Sequence, residues 1–457
     1  MRQHLGPFDS LEAAARALLG EVERCGATPR PAVRLEANVP DTDPLAWLNY
    51  HNNLIRMYCS NRERALHIAA MGCADMLRYK EGDTPVRDAL DYVFRRLQEL
   101  PDGMRYYGGM RFQAESTIRD TTWQRFGRVR FILPAVELIR DGGQTVLAVN
   151  LIASPDFERD VNLLRMQLRA IKTPPPLPAA HLPQPIHRIN QPDRARWDNM
   201  LMSAFEIMKA GALQKIVLAR RCDFDFADPL MPMALLQRLY ECTPDSYHFS
   251  FNYGDEIAFI GASPERLYQR RGRAIVSEAL AGTRPRGATE DDDAWLASEL
   301  MASTKERKEH ELVAVAITGV LEQFCTSVTC HKKPEILKLG HVQHLRTVIE
   351  GALREPVSDA DLLLALHPTP AVGGWPTANA LRSIDALEPF DRGWYSAPIG
   401  WIMKDEVEFA VAIRCGLVEG TRLSLFSGAG IMPESDPEQE WREIESKISN
   451  FLRILTS

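Results

Sequence analysis

The segment "SDPEQEWREIESKISNFL" (Ser435–Leu452) spaces two carboxylates and an amine, Glu440, Glu443 and Lys447, by three and four residues. At ~100° per residue these fall within an arc of roughly 60° on a helix. Trp441, Ile444, Ile448 and Phe451 make the adjacent apolar arc. The charged strip therefore flanks a buried face, as the wall of a cleft would. A solvated face with a Glu443–Lys447 pair has the same pattern. A third carboxylate, Glu309 in "STKERKEHELVAVAITGVL", shares its helical face with Leu312, Val313, Ala316, Ile317 and Val320. Buried there, it needs a metal or a cation, and Lys305 one turn earlier is an internal candidate. Carboxylate-only ligands suit a hard ion such as Mg²⁺, which keeps waters and takes substrate oxygens.

Other residues add chemistry of a different kind. Lys215 opens the apolar run "KIVLARR". Exposed, it is a solubilising charge; enclosed, a lysine gives up its proton more easily and can act as a base. Glu265 follows "FIGASP" at a strand end, where acids are commonly solvated. "LAGTRPRG" and "LFSGAG" put small residues directly after strands, either as plain tight turns or as places where backbone N–H groups approach an anion. Arg414 interrupts the apolar "AVAIRCGLV" and needs a partner; a substrate carboxylate fits its planar fork.

Helices and strands must hold these groups. Helical periodicity is read over 10–26, 62–99, 190–211, 229–242, 290–325, 358–367 and 376–386, and in the final segment, with Asp436 as its N-cap and Pro437 at the first position. "RVRFILPAVEL", "TVLAVNLI", "KIVLARRCDF", "YHFSFNY", "EIAFIGAS", "AIVSEAL", "WYSAPIGWI", "EFAVAIRCGLV" and "RLSLFSGAG" read as strands. The pattern implies an α+β or layered α/β fold. The proline-dense "TPPPLPAAHLPQPI" (Thr173–Ile186) marks a compositional boundary between residues 1–187 and 188–457.

Composition narrows the function classes. The 457 residues carry 45% hydrophobic and 25% charged side chains, as in an ordinary globular protein. A net charge of −7 argues against a nucleic-acid or anionic-membrane partner but not against a small anionic substrate. The eight cysteines form no CxxC pair, so buried free thiols in a reducing compartment are expected, not zinc. No signal peptide or membrane span is read, which implies a cytoplasmic protein.

The ordered series "KIVLARR", "FIGASPERL", "LAGTRPRG", "KERKEHELV", "HVQHL", "LHPTPAVGGWP", "EPFDRGWYSAPIGWI", "AIRCG", "LFSGAGI" and "SDPEQEWREIESK" resembles the chorismate-utilising enzymes over residues 188–457. Within that family it is similar to the isochorismate-forming branch. "RYYGGMRF" and "FGRVRFILPAVEL" are similar to the menaquinone-pathway type. The resemblance implies one layered fold of two stacked, mostly antiparallel sheets with outer helices, to which residues 1–187 also contribute. By position it implies Mg²⁺ held by Glu309 and Glu443 with help from Glu440, Lys215 as general base and Glu265 as general acid. It further implies Arg414 and Lys447 as carboxylate clamps, Gly282, Thr283, Gly428, Ala429 and Gly430 as loop donors, and His344 and Ala371 in the pocket wall. The chemistry requires a neutral base and a protonated acid on opposite sides of the chorismate ring. No GxCxG amidotransferase motif is present, and the loop "PTPAVGGWP" looks like the water-using branch, so no glutamine amidotransferase subunit is expected. Salicylate synthase, an aminating component and an inactive binding protein are the rival readings. A monomer or weak dimer is expected.

Overall fold

The computed structural model describes residues 1–27, 31–51, 55–80, 82–177, 183–254, 257–331, 333–340 and 342–456. Residues 178–182 of the proline-dense segment lie outside this set. The strands form a 13-stranded and a 10-stranded sheet. Almost all pairings are antiparallel; Arg2–Leu5 joins Ala32–Val39 in parallel. Both sheets draw on both sides of the proline-dense segment. Ile55–Ser60 pairs with Tyr247–Tyr253 in the larger sheet. Tyr106–Met110 pairs with Pro398–Ile402 in the smaller one. Residues of the two sheets meet in one aromatic core: Phe249, Phe251 and Phe259 pack with Trp123, Trp394 and Trp401. Rings such as these bury large apolar areas and prefer the tilted, edge-on contacts seen between Trp123 and Phe259.

Several elements differ from the periodicity reading, each for a local reason. Residues 62–99 contain strands Leu66–Met71 and Asp75–Tyr79 before the helix Val86–Glu99. Leu66–Met71 is buried along its whole length, and a strand covered on both faces has no alternation to betray it. The helix expected over 190–211 begins at Arg194, because His187–Gln191 is an edge strand. The helix expected over 290–325 is two, Glu290–Ala302 and Thr304–Phe324, separated at Ser303. The Ser303 hydroxyl accepts from the Glu306 N–H and restarts the second helix. "EFAVAIRCGLV" is likewise two strands, Glu406–Val411 in the smaller sheet and Cys415–Glu419 in the larger. "RVRFILPAVEL" divides in the same way into Val129–Leu133 and Val136–Asp141. "WYSAPIGWI" is strand only over Pro398–Ile402.

These sheet changes position the site. The chain passes from the larger sheet to the smaller between Ser263 and Arg266, and returns between Val411 and Cys415. The crossings are tied together: Val411 N–H donates to Glu265 O at 3.0 Å, and Ala262 N–H donates to Arg414 O at 3.0 Å. Glu265 and Arg414 thus lie on two linked crossings between the sheets. The final helix, Pro437–Thr456, packs on the larger sheet through Ile444, Ile448 and Phe451. Asp436 caps it, accepting from Gln439 N–H at 2.9 Å. Among the described residues no helix is long and apolar enough to cross a membrane. Among the described residues no cysteine forms a disulfide.

Candidate active site

A cavity of about 120 Å³ opens at the paired crossings. It is lined by Glu265, Gly282, Thr283, His344, Ala371, Arg414, Gly428, Gly430 and Lys447, and by Glu309, Glu440 and Glu443. Two expected residues do not face it directly. Ala429 alternates away from its glycine neighbours and sits in the core, 1% exposed. Lys215 is wholly buried behind the wall. Its Nζ lies 2.8 Å from Glu309 Oε1, which does line the cavity, yet it has no aligned hydrogen bond.

Register explains how these groups meet. Strand Lys215–Asp225 pairs with Arg422–Ile431, matching Val217 with Gly430 and Ala219 with Gly428. Lys215 therefore shares a face with both glycines. A Cβ at Gly430 would stand 2.5 Å from Glu309 Oε1 and 3.1 Å from Lys215 Cε, so only glycine leaves room for that pair. Gly282, at φ +78°, makes a bulge in the pairing with Val342–Leu353. The shift sets Thr283 opposite His344, whose Nδ1 is 3.0 Å from Thr283 Oγ1. Burial drives His344 down to about 3, so it is a neutral ring, and among the described residues its Nε2 has no hydrogen-bond partner.

The base of the cavity is a set of acids, each held by a lysine. Glu309 meets Lys215, not the Lys305 suggested by helical spacing. Lys305 instead reaches Glu440 at 2.9 Å, and Ser435 Oγ donates to the same carboxylate at 2.7 Å. Lys447 Nζ pairs with Glu443 at 2.7 Å and donates to Gly428 O at 2.8 Å. Burial, and then the neighbouring Glu443 charge, raises the Glu440 carboxyl. Burial opposes ionisation of Glu443 as well, but Lys447 and Lys305 hold it below the usual range. A fifth acid, Glu306, also lines the cavity; burial and Glu309 raise it. It was not singled out in the sequence, although it precedes Glu309 by three residues and so shares its face. Tyr395 was also missed; it lines the cavity and stacks on Phe426 with centroids 5.3 Å apart.

The helical wheel needs one further revision. The core arc of Thr304–Phe324 is His310, Val313, Ile317 and Leu321. Leu312, Ala316 and Val320 face a separate cleft beside Pro368 and Trp375. Glu309 is on the flank of the buried arc, with 14% of its side chain exposed.

Two groups are prepared for charge they do not yet have. Glu265 is 4% exposed, and burial pushes its carboxyl from 4.5 up to about 8. The Lys215 charge acts against that rise and Glu278 adds to it. Arg414 has φ +50° and forms no ion pair among the described residues. Burial lowers its affinity for the proton, and Glu443 partly restores it. A half-buried guanidinium with no ion pair among the described residues is a ready seat for a carboxylate.

A divalent metal fits the donor set. Glu309, Glu440 and Glu443 share one cavity and offer only oxygen. Among the described residues they do not close into a cage of three metal-ligating side chains, and each pairs with a lysine. A hard divalent ion does not need such a cage; one or two carboxylates with waters and substrate oxygens suffice.

Comparison with known proteins shows the family and the fold. The family model described as "Chorismate binding enzyme" matches residues 21–456. The isochorismate synthase MenF of Bacillus subtilis is 32% identical over 434 residues, covering 91% of this chain and 92% of its own. The isochorismate synthase MenF of Escherichia coli is 35% identical over 324 residues, 71% of this chain and 74% of its own. The solved structure of the menaquinone-specific isochorismate synthase MenF from Escherichia coli superposes with a TM-score of 0.86 at 29% identity, covering 98% of this chain and 100% of that one.

Proposed function

The chain belongs to the chorismate-binding enzymes, and from that premise we propose that it isomerises chorismate to isochorismate: water attacks C2 and the 4-hydroxyl leaves. One observation carries the reading. A sequestered amine, Lys215, and a carboxyl that keeps its proton, Glu265, serve the same small cavity as an unpaired arginine. Lys215, when neutral, takes the proton from the attacking water. Glu265 gives its proton to the departing hydroxyl. Each role is worth roughly 10²–10⁴-fold in rate. Arg414 and Lys447 hold the carboxylates of the dianion, and the Gly282–Thr283 and Gly428–Gly430 backbones line its path. Ala429 can take part only through its backbone. His344 and Ala371 complete the wall.

Glu309, Glu440 and Glu443 would hold Mg²⁺. When bound, the ion supplies positive charge for the ring carboxylate and a fixed point for its orientation. Purified protein incubated with chorismate and Mg²⁺, without ammonia, is expected to yield isochorismate on chromatography. Chelation by EDTA is expected to stop turnover, and Mg²⁺ to restore it. Anthranilate or aminodeoxychorismate formed only on adding ammonia would overturn the water-using reading. No ammonia-supplying subunit is required for the proposed reaction.

Arg414→Met is expected to raise KM for chorismate at least ~10-fold, because it removes a desolvated cation that faces the substrate charge. Steady-state kinetics check this. An unchanged KM would place the carboxylate elsewhere.

A further inference from the structure

The acid Glu265 is supported by groups that do not touch the cavity. Arg62 comes from the turn between the strands Ile55–Ser60 and Leu66–Met71, far away in the chain. Its Nη1 donates to Pro264 O at 3.2 Å and to Glu278 Oε2 at 2.7 Å, and its Nη2 donates to Glu278 Oε1 at 2.6 Å. Arg266 Nη1 donates to the same Glu278 Oε1 at 3.0 Å. The Arg62 and Glu278 side chains are 7% and 2% exposed. Neither lines the cavity. Two-pronged, desolvated pairs of this kind hold one geometry far better than surface pairs do.

We propose that Arg62 and Glu278 are positioning residues for the catalytic acid, the arginine fork fixing the Pro264 carbonyl and hence the turn that presents Glu265. The proposal rests on the reading of Glu265 as the acid. The turn is otherwise held by Ser263 and by the neighbouring crossing: Glu265 N–H donates to Ser263 Oγ at 3.2 Å, Ser263 Oγ donates to Val411 O at 2.6 Å, and Val411 N–H donates to Glu265 O at 3.0 Å. Pro264 has no N–H to contribute. Its carbonyl therefore offers a point at which the turn can be anchored from the amino-terminal part of the chain.

Charge reinforces geometry. The charged groups that bear on Glu265 are Lys215, which favours its ionised form, and Glu278, which disfavours it. Glu278 stays ionised against its burial because Arg62, Arg266 and Arg346 surround it. A fixed negative charge beside the acid helps keep the proton in place until it is transferred.

The test uses Glu278→Gln and Arg62→Lys in the full chain with saturating Mg²⁺, and Glu265→Gln as the control. Glu278→Gln leaves Arg62 and Arg266 uncompensated near the acid. Its kcat is expected to fall on the order of 10- to 100-fold with KM within about twofold. The alkaline limb of its kcat–pH profile is expected to move towards acid by about one unit. Arg62→Lys keeps the charge but loses the fork. Its kcat is expected to fall with little movement of the limb. A merely structural pair would lower the melting temperature while the folded enzyme kept its kcat and its pH profile, and that result overturns the proposal. If Glu278→Gln does not fold, an unchanged kcat in Arg62→Lys overturns it alone. If Glu265→Gln itself turns over normally, the acid reading fails first, which separates the two outcomes.

Discussion

Lys215→Ala is expected to lose at least roughly 10²-fold in kcat with chorismate and Mg²⁺, with a much smaller change in KM. The size follows from the surroundings of the amine. Lys215 is wholly buried, has no aligned hydrogen bond, and stands 2.8 Å from Glu309. Its stem passes close to the space that Gly430 leaves open. The obvious objection is that losing one partner of an ion pair destabilises the fold. Glu309 retains 14% exposure at the cavity, so its charge keeps access to water when the lysine is gone. The melting temperature should therefore fall modestly while turnover collapses. Small primary amines are expected to restore part of the activity by entering the vacated space, in proportion to their free-base concentration. Near-normal turnover in the folded variant would remove the base assignment.

The legibility of this site depended on periodicity. Glu440, Glu443 and Lys447 could be placed together because a helix repeats every few residues, and the final helix keeps that repeat intact beside Ile444 and Ile448. Gly428 and Gly430, expected directly after a strand, lie within Arg422–Ile431 and share one of its faces, a placement that only the pairing with Lys215–Asp225 makes visible. Arg414 could be recognised as a charge out of place, but not as a corner. Apart from Glu408 and Arg414, "EFAVAIRCGLV" is apolar because both of its strands are buried, so its hydrophobic pattern does not mark the change of sheet. The partner of Glu309 was illegible for a different reason. Lys305 is near in sequence, whereas Lys215 is distant in sequence and meets Glu309 only in the folded chain. Long-range pairing of this kind leaves no local signal. Arg62 is the extreme case: an arginine in an amino-terminal turn whose role exists only once both sheets have formed.

Glu265→Gln is expected to lose at least roughly 10²-fold in kcat and, at the same time, to stabilise the protein at mildly alkaline pH. The two effects share one cause. Glutamine fills the same volume but cannot protonate the leaving hydroxyl. Nor can it ionise. In the wild-type chain burial raises the Glu265 carboxyl from 4.5 to about 8. Folding thus favours its protonated form. The stability associated with that proton is fully present below pH ~4.5 and is lost progressively as pH rises towards ~8, because the unfolded chain releases the proton more readily. The wild type should therefore lose stability, on the order of a few kcal/mol at most, over a range in which the variant shows no such slope from this position. Melting temperatures from pH 5 to 8.5 check the sign: the advantage of the variant should be small at pH 5, grow with pH, and level off above about 8. The wild-type kcat/KM profile should fall on its alkaline side in the same region, since the free enzyme then loses the proton it must donate. Parallel stability curves would show that Glu265 is not held protonated by its site, and the acid would have to be sought among Glu306 and Glu440, whose carboxyls are also raised by burial.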